Sequence, residues 1–244
     1  MTTTSDHDHG SDKAYGRFHR RVLESRGGLF ALLTTIAILI GGIVEIVPMY
    51  TAGAGPETAD WVTPYTPLEV AGRDIYITEG CYLCHSQWVR PMRAEVLRYG
   101  EWSRAPEYQY DRPFLLGSRR MGPDLHRLSQ KYPDAWHYEH MRDPRSTSPG
   151  SVMPSYPWLL TATVDPEDIR ASVRALQKAG VPYSDAEVDG VPESLATQGE
   201  EIVSSLAGAN LETTADKEIV ALIAYLQRLG REGKAYLSNR EGGG

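Results

Sequence analysis

The chain has 244 residues, 41% of them hydrophobic, which suffices for one sizeable globular domain with short appendages. Its formal net charge of −7 argues against a nucleic-acid-binding protein, because such proteins present a basic face to the phosphate backbone. The charge is uneven: residues 1–26 hold five basic and four acidic side chains, and the rest hold 20 basic and 28 acidic ones. The composition predicts an acidic body behind a slightly basic N-terminal segment.

An uncharged run of 18 residues, Gly27 to Val44, dominates the N-terminal part. Continued to Val47, it contains one charged side chain, Glu45, whose simplest position is at headgroup depth. At ~1.5 Å per residue, a helix of this length crosses about one hydrocarbon core. The alternative is a signal peptide cleaved near residues 51–54, but its apolar part would usually be ~7–15 residues long. We predict a cytoplasmic tail over 1–26, an uncleaved transmembrane anchor over 27–47 and a linker over 48–65.

Basic residues flank this anchor on one side only. The positive-inside rule places that side in the cytoplasm and everything after the anchor outside. The arginines that define the asymmetry are Arg17, Arg20, Arg21 and Arg26, and the next basic residue is Arg73.

The first helix of the soluble part has a recognisable start. Thr66 suits the N-cap, Pro67 suits the first helical position, and Glu69 can close a capping box. Gly72 would let another helix cross closely. The apolar pattern of this helix runs directly into the pentapeptide Cys81-Tyr82-Leu83-Cys84-His85.

This pentapeptide contains the only two cysteines of the chain and is typical of a covalent attachment site for c-type haem. Two thiols three residues apart on a helical turn can add to the two vinyl groups of one porphyrin. His85 then offers its imidazole to the iron. The motif predicts an electron carrier, with haem on Cys81 and Cys84 and His85 as an axial ligand.

Other sites also use a Cys-x-x-Cys pair. A structural zinc site needs about four N or S ligands, and the chain has no second pair. A thioredoxin-like pair follows a β-strand, whereas residues 76–80 complete a helical pattern. A disulfide between residues three apart is uncommon. Haem is therefore the interpretation that the motif favours.

The other axial ligand must come from elsewhere in the chain. Met92 is too close to the motif, Met121 adjoins a Gly-Pro pair, and Met141 lies in a helix-like stretch over 134–142. Met153 lies in a loop of Ser, Gly and Pro that is rigid enough to hold a thioether over an iron, so we predict Met153. The alternative is a second imidazole, from His126 or His140.

Two further helices are predicted near the C-terminus. Asp165 as N-cap and Gly180 beyond the end predict a helix over 165–180. Residues 181–212 are acidic and loop-rich, with a short helical pattern near 197–206. A last helix over about 215–229 has an apolar stripe at helical spacing, with Gly230 after its end. We predict an insertion over 165–212 and a flexible tail over 233–244.

A helix that ends in the haem motif and a terminal helix packed across it resemble the class I cytochrome c fold. The expectation is a mainly α protein, with a single N-terminal transmembrane helix and a class I cytochrome c-like domain with loop insertions over 66–232. In that fold a Gly-Pro-Asp/Asn-Leu segment passes behind the proximal imidazole. Residues 122–125 match this segment, so the resemblance implies that the Pro123 carbonyl accepts the Nδ1–H of His85.

Longer segments resemble one family, the mono-haem c subunits (subunit II, CcoO/FixO family) of cbb3-type cytochrome c oxidases. Together with the anchor, these segments cover most of residues 27–230. Trp88 departs from the family pattern, which often has Met or another apolar residue there, but it is no haem ligand. The segments are EGCYLCHSQWVRPMRAEVLRYG, YDRPFLLGSRRMGPDLHRLSQKYPDAWHYEHMRDPR, SVMPSYPWL, VRALQKAGVPYSDAEV and LIAYLQRLG.

The resemblance implies one covalent haem c and an electron relay to a catalytic subunit that reduces O2 and pumps protons. The chain itself would hold no O2-reduction site. Its expected partners are the catalytic haem–copper subunit and a di-haem cytochrome c subunit, in the bacterial inner membrane with the haem domain on the periplasmic side. The alternative function is a free-standing, membrane-anchored cytochrome c that shuttles electrons. The small cytochrome subunit of nitric oxide reductase fits less well, because it is shorter and lacks the YDRPFLLGSRRMGPDL-type stretch.

In the family, the segment after the haem motif docks on the catalytic subunit. Arginine and aromatic residues, which favour interfaces, are frequent between residues 88 and 114. The resemblance also allows a calcium ion (Ca2+) near this interface, with Ser103 as the candidate contact. The interface residues implied by position are Arg90, Arg93, Glu95, Tyr99, Ser103, Asp111 and Arg112.

Overall fold

The computed structural model describes Arg20 and residues 25–51, 58–117 and 119–241. Most of the predicted tail over 1–26 therefore lies outside the described residues, as do linker residues 52–57 and the last three residues. The chain divides into two units, Met1–Pro56 and Glu57–Gly244.

The first unit contains the helix α1 (Gly27–Thr51). Its segment Gly27–Pro48 has a mean hydropathy of 2.4 and is the one described helix that is long and apolar enough to cross a membrane. At 22 residues it is about 33 Å long as an α-helix. The helix continues through Pro48, so the segment predicted as a linker begins inside it.

The second unit is helical. Its described residues form no strand, only an isolated antiparallel bridge between Thr163 and Lys217. Short 3₁₀ turns occupy Cys81–Leu83, Ala105–Tyr108 and Pro157–Leu160. The prediction of a mainly α fold with one N-terminal candidate membrane helix is confirmed. The helices are α2 (Pro67–Thr78), α3 (Arg93–Tyr99), α4 (Asp134–Arg142), α5 (Pro144–Thr147), α6 (Pro166–Lys178), α7 (Asp185–Asp189), α8 (Val191–Ala207), α9 (Glu218–Arg228) and α10 (Arg231–Glu241).

Helix α2 starts with a capping box. The Thr66 hydroxyl accepts the Glu69 N–H at 3.4 Å, and the Glu69 carboxylate accepts the Thr66 N–H at 2.9 Å. The same carboxylate lies 3.3 Å from Arg228 Nε and 3.0 Å from a terminal nitrogen of Arg231. Glu69 thus ties the start of α2 to the end of α9 and the start of α10.

Helices α2 and α9 make the largest helix–helix contact of the second unit. They cross at Gly72, where a Cβ atom would overlap the Ala221 carbonyl and lie 2.7 Å from the Cβ of Tyr225. The buried rings of Tyr76 and Tyr225 are 5.4 Å apart beside this crossing. The crossing therefore sits within the hydrophobic core, which includes Leu68, Val70, Ile219, Leu222, Ile223 and Leu226.

The C-terminal half contains more helix than the sequence predicts. Residues 181–212 hold α7 and the 17-residue α8, where the sequence indicated loops and a short helix over 197–206. Helix α10 covers much of the stretch predicted as a tail, and its Tyr236 ring stacks on Trp61 at 4.6 Å. Helix α9 begins at Glu218 rather than at 215.

Candidate haem c site

The Cys-x-x-Cys-His segment forms a tight turn at the end of α2. Gly80 has a φ of +69°, a left-handed conformation that favours glycine, and the turn Cys81–Leu83 follows it. The N–H groups of Cys84 and His85 donate to the Cys81 carbonyl at 3.2 and 2.9 Å. Both cysteines are free and half-buried. Burial raises the pKa of the Cys81 thiol to about 12, so this thiol is protonated at neutral pH.

The imidazole of His85 is held from behind by the Gly122-Pro123 segment. Its Nδ1 lies 2.8 Å from the Pro123 carbonyl oxygen. A carbonyl can only accept, so Nδ1 carries the proton and Nε2 keeps its lone pair. A Cβ atom on Gly122 would lie 2.7 Å from both ring nitrogens of His85, so only glycine allows this approach.

Hydrogen bonds fasten the loop that carries Met153 to α4 and to Glu79, just before the motif. Met153 is half-buried against the hydrophobic core, and its N–H donates to the Ser151 hydroxyl at 3.2 Å. The Tyr156 N–H donates to the Met141 carbonyl at 2.8 Å, and Trp158 Nε1 donates to the Glu79 carboxylate at 3.0 Å. Burial raises the pKa of Tyr156, and the charge of Cys81 raises it further.

The other candidate ligands have different surroundings. Met121 is exposed, with its sulfur 3.9 Å from that of Cys84, and Met141 is buried in the core. His126 is buried, and its Nδ1 lies 2.5 Å from the Ser103 hydroxyl and 3.1 Å from the Tyr108 hydroxyl. His140 stacks on Trp136 at 4.4 Å. Burial lowers the pKa of His140, and the charge of His85 lowers it further. His140 stays an alternative ligand.

Sequence reasoning missed a polar cluster next to the proximal imidazole. Asp124 follows Pro123 in the chain and Ser86 follows His85, and their side chains are 2.6 Å apart. Arg120 Nε donates to the Ser86 hydroxyl at 2.7 Å. The adjacency of Ser86 to His85 and of Asp124 to Pro123 was the signal available in the sequence.

Three of the residues predicted for an interface are buried within this chain. The Glu95 carboxylate pairs with Arg90 and, at 2.8 Å, with Arg120. Asp111 accepts the Tyr65 hydroxyl at 2.7 Å. The Ser103 hydroxyl accepts the Val89 N–H at 2.8 Å and faces His126. Of the other four, Arg90, Arg93 and Arg112 are exposed and Tyr99 is half-buried.

The same segment exposes large apolar side chains. Six such residues between 88 and 121 are between 38% and 77% exposed, and five of them are aromatic residues or methionines, which are enriched at interfaces. They are Trp88, Met92, Leu97, Trp102, Phe114 and Met121.

The side chains around the turn suit a haem c. Two free thiols lie on one turn, and an imidazole with an available Nε2 follows them directly. The half-buried thioether of Met153 lies in the same loop as Trp158, which donates a hydrogen bond to Glu79, two residues before the turn. Thiol, imidazole and thioether are the donor types that attach and ligate haem iron.

A comparison with protein families matches residues 20–232 to the family described as cytochrome C oxidase, mono-heme subunit/FixO. The chain belongs to this family. It is therefore a haem-containing electron-transport subunit of a cytochrome c oxidase, and other subunits of that complex are its partners. A search among curated proteins found no match. The membrane location of the oxidase agrees with the apolar helix α1.

Proposed function

We propose that this chain is the membrane-anchored electron-relay subunit of a cbb3-type oxidase, with one haem c bound covalently through Cys81 and Cys84. The observation that carries the proposal is the 2.8 Å contact between His85 Nδ1 and the Pro123 carbonyl, beside a turn with two free thiols. Membership of a mono-haem subunit family supports a single haem.

His85 and Met153 are the proposed axial ligands. A hydrogen bond from Nδ1 to a carbonyl fixes the histidine tautomer and raises the basicity of Nε2. A methionine thioether as the partner of histidine raises the reduction potential of a cytochrome c. A bound haem would supply one-electron transfer, and His85 and Met153 would hold its iron, positioned by Pro123 and by the loop over 151–158.

The surface of residues 86–125 is the proposed docking face for the catalytic haem–copper subunit. Its exposed arginines and large apolar side chains belong to the residue types enriched at interfaces. Electrons would enter from a di-haem cytochrome c subunit and leave toward the catalytic subunit. Reduction of O2 and proton pumping would take place there, so this chain is a non-catalytic relay.

The proposed location is the bacterial inner membrane, crossed once by α1. The N-terminus would lie in the cytoplasm and the haem domain on the periplasmic side. Support comes from the arginines that precede α1 and from the absence of Lys and Arg between Arg26 and Arg73.

The geometry lends no support to a calcium contact through the Ser103 side chain. The hydroxyl is buried and is occupied by Val89 and His126. Among the described residues, no group of three or more His, Cys, Asp or Glu side chains could hold a metal ion. Calcium at the subunit interface stays a prediction.

The test uses the isolated full-length subunit in detergent, because the catalytic subunit would itself bind carbon monoxide. Met153→Leu should keep its haem through denaturation but bind carbon monoxide when reduced, since the sixth position is open. Replacing both Cys81 and Cys84 with Ser should abolish haem staining of the denatured chain. Met92→Leu, at an exposed methionine, is the matched control and should leave the spectrum unchanged.

The outcomes separate the parts of the proposal. Failure of Met153→Leu to bind carbon monoxide would move the ligand assignment to another residue, such as His140. A wild-type chain without covalent haem would overturn the whole proposal. Purification from membranes without a polytopic haem–copper subunit would favour the free-standing shuttle over the oxidase relay.

A further inference from the structure

We propose that Asp124 is a positioning residue that holds the Pro123 carbonyl against the His85 imidazole and so helps to set the reduction potential of the haem. The inference rests on the proposed function, because it concerns the ligand that His85 would provide. It extends that function to a side chain that touches neither the imidazole nor, in the proposed site, the iron.

The Asp124 side chain is fully buried and joins the two segments that meet at the proximal ligand. Its Oδ2 accepts the Ser86 hydroxyl at 2.6 Å and the Trp88 N–H at 2.8 Å. Its Oδ1 accepts the His126 N–H at 2.9 Å, which folds the loop after Pro123 back on itself. One carboxylate therefore binds the segment after His85 and the segment after Pro123 at the same time.

Two backbone hydrogen bonds run alongside. The Gly122 N–H donates to the Cys84 carbonyl at 3.0 Å, and the Leu125 N–H donates to the Ser86 carbonyl at 2.8 Å. They bracket the His85–Pro123 contact on both sides. The Asp124 carboxylate adds hydrogen bonds to Ser86 and Trp88, beyond these two backbone bonds. Its loss would therefore free the segment that carries the accepting carbonyl.

Arg120, which is partly exposed, binds two of the same residues as Asp124. Its Nε donates to the Ser86 hydroxyl at 2.7 Å, and one terminal nitrogen donates to the Trp88 carbonyl at 2.7 Å. The guanidinium pairs with both oxygens of Glu95 at 2.8 Å and lies 3.4 Å from Asp124 Oδ2. The buried carboxylate is thus compensated by a fixed positive charge, as a buried charge requires.

The effect on the haem has a defined direction. A tight Nδ1–H to carbonyl bond makes the imidazole a stronger donor and stabilises the ferric iron relative to the ferrous iron. When Asp124 no longer holds the carbonyl in place, that bond weakens and the reduction potential rises. Removal of the negative charge would also raise the potential, so the test must separate charge from position.

Two variants make this separation in the full-length, haem-loaded chain. Asp124→Asn removes the charge and replaces one accepting oxygen with an NH2 group, so either the Trp88 N–H or the His126 N–H loses its acceptor. Ser86→Ala removes one of the carboxylate's donors without a change in charge. Asp111→Asn is the control for loss of a buried carboxylate, because Asp111 contacts Tyr65 and Arg73 instead of the proximal segments.

The readouts are the midpoint potential by spectroelectrochemistry and the hydrogen-exchange rate of the His85 Nδ1–H by NMR in the reduced state. Both Asp124→Asn and Ser86→Ala should speed this exchange about tenfold or more and raise the potential. For Asp124→Asn we expect a rise of up to about 59 mV, which is a tenfold change for one electron, with a smaller rise for Ser86→Ala. Asp111→Asn should leave the exchange rate unchanged.

A rise in potential for Asp124→Asn with no change in exchange for either variant would mean a charge effect only and overturn the positioning role. If Asp124→Asn does not fold, Ser86→Ala alone decides, because it must still speed the exchange. A wild-type chain with no covalent haem would overturn the proposed function and this inference together. A haem-loaded chain with unaltered variants would overturn the inference only.

Discussion

His137 is buried in α4, 1% exposed, and its Nε2 has no hydrogen-bond partner among the described residues. Burial lowers the pKa of His137 to about 4, against 6.5 in its ordinary state. The folded protein therefore holds the neutral imidazole in a pH range where the unfolded chain takes up a proton. Between pH 6.5 and about 4 the stability should fall as the pH falls, and below about 4 this contribution stays constant.

The pH dependence of His137 can be measured by urea unfolding between pH 4 and 7. The shift corresponds to roughly 3 kcal/mol across that window, since one pKa unit is about 1.4 kcal/mol. His137→Phe should flatten the fall by up to this amount, while other histidines whose pKa burial lowers, among them His126 and His140, contribute to the remaining slope. Equal slopes for the wild type and the variant would show that folding does not lower the pKa of His137.

At the scale of the elements, the crossing of α2 and α9 depends on the missing side chain of Gly72. A methyl group there would overlap the Ala221 carbonyl on the facing helix, which belongs to the backbone and cannot rotate away. Gly72→Ala should therefore destabilise the domain by about 1–3 kcal/mol, in spite of the better helix propensity of alanine. The free energy of unfolding in urea measures this.

Gly208, at the end of α8, provides the matched control. It has a φ of −59°, and a Cβ atom would meet its nearest neighbour, the Ser205 carbonyl oxygen, at 3.4 Å. Gly208→Ala should leave stability unchanged or raise it by about 0.4–1 kcal/mol, because it restricts the unfolded chain. If both alanines had the same effect, close approach of α2 and α9 would not explain the glycine at position 72.

The sequence predicted the ends of helices where the signal is local. The capping box at Thr66 and Glu69, the N-cap at Asp165 and the left-handed Gly230 each lie within a few residues of the helix end that they mark. Helix α8 was predicted only near 197–206, although it includes Gly199, and its first residues were missed because Gly190 and Pro192 at its start are typical of loops. A Cβ atom at Gly199 would lie 2.7 Å from the Ala215 side chain, so the glycine is a packing requirement that only the fold reveals.

In the candidate site, too, the features with a local sequence signal were predicted and the long-range contacts were not. The turn Cys81–His85 and the Pro123 contact follow short motifs, whereas the bonds from Asp124 and Arg120 to Ser86 join residues 34 or more positions apart. Such pairs depend on the path of the loop between them, which no periodicity encodes. Glu95, Ser103 and Asp111 were assigned to an interface for the same reason, since burial of a polar side chain cannot be read from its neighbours in sequence.

At the scale of the whole molecule, charge is distributed in a way that suits one orientation in a membrane. The uncharged run in α1 separates the N-terminal arginines from a long stretch without basic residues. The predicted insertion over 165–212 carries three basic and ten acidic side chains, so its net charge equals the −7 of the full chain. Acidic residues contribute little to orientation, which leaves the arginines before α1 as its main determinant.

Reversal of the basic flank should therefore reduce haem attachment. The variant replaces Arg17, Arg20, Arg21 and Arg26 with Gln and introduces Ala52→Lys and Ala54→Lys after α1. Because c-type haem is attached on the outer face, chains inserted the other way round would stay without haem, and most of the haem staining per chain should be lost. The control replaces four arginines of the second unit with Gln, three of them exposed and Arg170 half-buried, namely Arg142, Arg145, Arg170 and Arg174. An unchanged ratio of haem to chain in the reversed variant would contradict an orientation set by the arginines, whereas a loss equal to that of the control would point to a general effect of charge.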